Sequence, residues 1–192
     1  MPRHFTFDAP DRFLAAAIGE PGHREFYLQA ARGRNVVTVA IEKAQVAALA
    51  ERLGDLLEEV AERGVELPVG VEPIDGNGLQ QPIVEAFRVG AMTLGWDGER
   101  ASVLIEARSL MAEEVESALS ARAAEAEDEG DDEPASSESA DVLEVHLSPT
   151  AVRGFVAQAV RVIEAGRPPC PLCGLPLNPE GHICPRRNGY MH

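Results

Sequence analysis

A strand running straight into an amphipathic helix occurs twice in this chain, at an offset of 106 residues. The first copy is "VTVAIEKAQVAALAERLGDLLEE", residues 37 to 59, and the second is "LEVHLSPTAVRGFVAQAVRVIEA", residues 143 to 165. Val37, Val39 and Ile41 align with Leu143, Val145 and Leu147, an alternation of period two that marks a strand with one buried face. Val46, Leu49, Leu53, Leu56 and Leu57 align with Val152, Phe155, Ala159, Val162 and Ile163, which form one apolar stripe on a helix. In the second copy Ser148 suits the N-cap and Pro149 the first helical position. Neither helix is long enough to be stable alone in water, so each needs a sheet to pack on.

The neighbouring segments supply strands for that sheet. "EFYLQAARGRNVVTVAIE" reads as two strands joined at Arg32-Gly33-Arg34, and "FRVGAMTLGWDGERASVLIEA" as two joined at the hairpin signal Asp97-Gly98. "RFLAAAIG" adds a strand that turns at Glu20-Pro21-Gly22. The expected fold is α+β: a largely antiparallel sheet with two helices on one face, built from a duplicated strand–helix unit. The repeat itself reads as an old duplication kept for folding.

Charge divides the chain further. Its formal net charge is −15, and residues 112 to 141 hold twelve Asp or Glu against one Arg, leaving −4 for everything else. After Leu119 that stretch has almost no large apolar side chain, so its sequence predicts a disordered acidic insert, a solubilising loop or a docking tail for a basic partner. The expected organisation is an α+β domain over residues 1 to 166, interrupted by this insert, and a C-terminal ribbon over residues 167 to 192. The acidic balance argues against general nucleic-acid binding. No apolar run approaches the ~20 residues of a membrane span, and the first residues lack a secretion signal, so the expected location is the cytoplasm.

All three cysteines fall within "CPLCGLPLNPEGHIC", residues 170 to 184. Cys170-Pro-Leu-Cys173-Gly has the C-x2-C form of a zinc knuckle, and His182 and Cys184 project to the same side if that stretch is extended. Cys170, Cys173, His182 and Cys184 make a tetrahedral Cys3His set for a structural zinc ion; His192 or water are alternatives for the fourth position. Redox chemistry is the competing use of C-x2-C, but Pro171, Pro176 and Pro179 oppose the helix such motifs usually open. Residues 167 to 192 carry few large apolar groups, so metal binding would supply folding free energy that burial cannot. The same tail is basic: Arg167, Arg186, Arg187, Asn188 and Tyr190 are candidates for contact with a protein partner or an anion.

Catalytic signatures are sparse. "VEPIDGNG" lacks the Lys and Ser or Thr of a phosphate loop, and there is no G-x-S-x-G turn. His146 alternates with Val145 and Leu147, so it should face away from the core as a solvated histidine. Asp11, Arg12 and His23 read first as turn chemistry and sheet-edge charge, with a small-molecule site as the alternative.

"PDRFLAAAIGEPGHREFYLQA", the repeat, the acidic insert and "CPLCGLPLNPEGHICPRRNGY" together resemble an uncharacterised actinobacterial family known as a domain of unknown function or "repeat protein". The resemblance covers nearly the whole chain. It extends to ParJ-type regulators, and implies a cytoplasmic regulatory protein whose partner is a ParA-type ATPase. Two functions follow as expectations. The first is a non-enzymatic regulatory or adaptor protein with a structural zinc site that binds a protein partner. The alternative is a metal-containing enzyme acting on a phosphorylated or nucleotide substrate, which the family's histidine-phosphatase-like gene neighbour suggests.

Overall fold

A computed structural model describes residues 1–20, 22–74, 78–110, 140–166, 170–173, 184 and 186. The acidic insert, Ala140 and Asp141 apart, therefore lies outside the described residues. The elements run β1 (His4–Asp8), β2 (Arg12–Ile18), β3 (Glu25–Arg32), β4 (Asn35–Ile41), α1 (Lys43–Glu62), β5 (Glu85–Asp97), β6 (Ser102–Ser109), β7 (Val142–Leu147) and α2 (Pro149–Glu164). The strands form one seven-stranded sheet in the order β1-β7-β6-β5-β4-β3-β2. The fold is α+β, with both helices contributing to the single core on one face of the sheet.

Each strand–helix unit is present as a strand followed at once by a helix. Val37, Val39, Ile41, Leu143, Val145 and Leu147 are all buried towards the helices. The caps also fall at the same offset. Glu42 precedes α1, its N–H bound by Gln45 Oε1 at 2.9 Å, and Ser148 Oγ accepts from the Ala151 N–H at 3.1 Å before α2. The final strand of each unit has a parallel neighbour, β5 beside β4 and β1 beside β7; the other four pairings are antiparallel. The chain turns between β3 and β4 at Gly33, whose φ of 58° suits glycine. The expected two-residue turn at Asp97-Gly98 is in fact longer, since Asp97 pairs with Ser102.

The two outermost strands, β1 and β2, are joined by only residues 9 to 11. Six interstrand steps of about 4.8 Å would hold the edges of a flat sheet roughly 29 Å apart. Four Cα steps from Asp8 to Arg12 reach about 15 Å at most. The sheet must therefore curl until its edges approach at this end. Arg32 Nη1 accordingly reaches the Asp8 carbonyl at 2.6 Å, and Asp11 Oδ2 accepts from the Gly33 N–H at 2.7 Å. α2 packs within the curl. Phe155, wholly buried, stacks on Phe13 of β2 with ring centroids 4.9 Å apart. At Gly154 the loop after α1 crosses the helix so closely that a Cβ there would lie 1.9 Å from the Glu72 carbonyl oxygen. Arg153 Nη1 secures the same loop through the Pro68 carbonyl at 2.6 Å.

The other face of the sheet carries polar networks. Gln29, 1% exposed, donates to Thr38 Oγ1 at 2.9 Å and accepts the Gln80 N–H at 2.8 Å, so this buried amide ties the loop before β5 to the sheet. At the free end of β1, the Asp141 carboxylate accepts from the backbone N–H of Arg3 at 2.7 Å and from its guanidinium. The guanidinium hydrogen bond is the main cause holding the Asp141 carboxyl below its ordinary pKa of 3.8. A carboxyl whose native pKa is depressed stabilises the fold above its unfolded pKa and loses that contribution as pH falls through the native value. Asp141→Asn is thus expected to be less stable than the wild type at neutral pH. The difference should shrink as pH drops below about 4, towards the lowered native pKa. Parallel acid titrations followed by circular dichroism check this; a gap between the two proteins that persists in acid would contradict it.

Candidate metal centre

The C-terminal thiols converge. The Sγ atoms of Cys170, Cys173 and Cys184 all lie within 4.8 Å of one another, and those of Cys170 and Cys184 are 4.0 Å apart. None is in a disulfide. Four ligands around zinc at about 2.3 Å from each sulfur set neighbouring sulfurs roughly 3.8 Å apart, so the donor set and spacing fit a small metal site. Cys170 and Cys184 are buried, and Cys173 is half-buried. The knuckle also aims main-chain donors at sulfur. The Cys173 N–H is the largest influence lowering the Cys170 thiol pKa, and the Leu172 N–H, 3.4 Å from Cys170 Sγ, is next. Donors of this kind favour the thiolate, the form that ligates metal. Their origin is local: a Pro-Leu step between the two cysteines keeps the backbone in a turn and leaves its N–H groups free to face the first sulfur.

Of the remaining tail candidates, Arg186 is exposed. His182, Arg167, Arg187, Asn188, Tyr190 and His192 lie outside the described residues. Asp11 and Arg12 line a cleft of about 220 Å³ together with Glu72 and Phe13, whereas His23 sits in the turn at the other end of β2 and takes no part in it. Arg12 is occupied elsewhere, donating to the Gly78 carbonyl at 2.5 Å.

His146 does face away from the helices, but it is buried rather than solvated, at 8% exposure. Its Nε2 stands 3.1 Å from Arg100 Nη1, and Asp8 Oδ1 takes the same guanidinium nitrogen at 3.0 Å. Glu144 Oε1 lies 3.5 Å from the same Nε2. Asp97, whose carboxyl is held below its ordinary pKa chiefly by the Arg100 backbone N–H, completes the network. Residues from β1, the β5–β6 turn and β7 meet here. Only alternation hinted at this in the sequence, and it gave the face without the neighbours.

No helix among the described residues is long and apolar enough to cross a membrane. A family model described as a protein of unknown function (DUF3090) matches residues 5–184, which bears out the resemblance to a family of unknown function. No curated protein and no solved structure matches the chain.

Proposed function

We propose that this chain, which belongs to the DUF3090 family, is a non-enzymatic regulatory or adaptor protein whose C-terminal tail is stapled by a structural zinc ion and which binds a protein partner. The observation that supports it is the convergence of three sulfurs within 4.8 Å in a segment poor in apolar groups. Leu172, between the first two cysteines, is 50% exposed, so it adds little burial. Metal binding contributes on the order of 10 kcal/mol in small structural zinc sites, enough to order such a segment. His182 completes the proposed ligand set with Cys170, Cys173 and Cys184. A closed four-ligand site leaves no position for substrate, which favours a structural role over a catalytic one.

Native mass spectrometry of chain prepared without chelator should show one zinc per molecule. The stoichiometry should fall sharply in Cys173→Ser, and chelation should open the tail to protease. A native preparation without zinc ends the metal reading. The partner reading is tested with a purified ParA-type ATPase, the class that the family resemblance implies. Saturable binding by the zinc-loaded chain is expected; turnover of a phosphorylated metabolite by that chain alone would reverse it.

A further inference from the structure

Among the described residues β2 is an edge of the sheet, paired with β3 on one side only. On its free side Gln158 of α2 lays a carboxamide along the backbone of Ala15. Oε1 accepts the Ala15 N–H at 3.1 Å, and Nε2 donates to the Ala15 carbonyl at 2.6 Å. A carboxamide is a side-chain copy of the peptide unit, so at this one position α2 supplies the bonding of an eighth strand. Outward-facing groups recur at every second residue, which makes Ala17 the next outward donor and acceptor. There the cover thins: Ala15 is fully buried, Ala17 half-buried and Ile18 exposed. A cleft of about 300 Å³ opens at this point, lined by Ala17, Gly19, Arg24, Ile74 and Val162 among others.

The charge at this opening is unlike the rest of the chain. Arg24 also lines an adjoining cleft of about 200 Å³ with Lys43, Arg88 and two carboxylates, Glu42 and Glu25, the latter accepting from the Tyr27 hydroxyl at 2.9 Å. Glu42 holds Arg88 at 3.1 Å, while neither Arg24 nor Lys43 has an ion-pair partner among the described residues. On a chain of net charge −15, an excess of cations over carboxylates next to a strand edge favours an anionic partner.

We propose that this end of β2 is a docking edge for an extended acidic segment of a partner protein. The segment hydrogen-bonds to Ala17, continuing the line that Gln158 begins, and sets its carboxylates against Arg24 and Lys43. The proposal rests on the reading of the chain as a binding protein and specifies the partner's chemistry. It is independent of the tail metal.

The test uses the full chain and an end-blocked hexapeptide alternating glutamate and valine, with a lysine–valine peptide as control. Saturable binding of the acidic peptide alone is expected, weakening as salt rises. Reversing both charges, Arg24→Glu with Lys43→Glu, should weaken it by about tenfold or more. Ala17→Pro removes an outward N–H that the sheet does not use, which an edge strand tolerates, and should weaken binding comparably at near wild-type stability. If that variant does not fold, slowed exchange of the wild-type Ala17 amide on adding peptide is the equivalent readout. No binding of the acidic peptide, equal binding of the basic one, indifference to charge reversal, or no response at Ala17 overturns the proposal. Zinc is measured in the same samples, so a zinc-free chain that still binds peptide sinks the metal reading and leaves this one standing.

Discussion

Gly154→Ala should destabilise the protein by about 3 kcal/mol, opposite in sign to what helix propensity predicts. In an exposed helix interior, alanine is better than glycine by roughly 1 kcal/mol. Here the new methyl would sit 1.9 Å from the Glu72 carbonyl oxygen, a backbone atom with no rotamer to yield. Relief requires the loop after α1 to lift from α2. That movement breaks the hydrogen bond from the Glu72 N–H to the Thr150 carbonyl, 3.0 Å in the native fold, and the Arg153 contact with Pro68. Overpacking of a rigid site typically costs about 1–3 kcal/mol and sometimes more. For a chain of this size the melting temperature should fall by roughly 6–12 °C. A neutral or stabilising effect would mean that the loop does not lie on the helix at this point.

Phe155→Ala, one residue on, should cost about 3–5 kcal/mol by the opposite mechanism, the opening of a cavity. Phe155 is 0% exposed and its ring stacks on Phe13, the first core residue of β2. The curled sheet cannot collapse into the space without separating β2 from α2, so the deficit should stay near the upper half of that range. Phe155→Leu keeps most of the volume and should recover the larger part. Chemical denaturation of the three proteins checks the series. A loss below about 1 kcal/mol for the alanine variant would place Phe155 outside the core.

The strands and helices of the two units were legible because their patterns are local. Val37, Val39 and Ile41 alternate within five residues, and Val46, Leu49 and Leu53 recur at helical spacing. β1 was not legible. It offers two apolar positions, Phe5 and Phe7, in five residues, and its pairing partner among the described residues is β7, whose register with it begins at His4 opposite Val142. The burial of His146 was missed for the same reason, since Arg100 and Asp8 reach it from distant elements. Gly154 reads in sequence as a weak helix residue, and only the crossing loop explains it. The thiols were legible because C-x2-C followed by a third cysteine is a short-range pattern whose geometry follows from the turn. Their donor set is visible in the described residues, and the predicted fourth ligand at position 182 lies beyond them.

Because β1 hydrogen-bonds alongside β7, this edge of the sheet cannot close until the chain has been made as far as Leu147. Arg3 and Asp141, which meet in the finished fold, are 138 positions apart. At about 5–20 residues per second, a ribosome separates their appearance by roughly 7–28 seconds. Throughout that interval Phe5 and Phe7 have no β7 to shelter them, and the last dense run of carboxylates emerges just ahead of the strand that ends the wait.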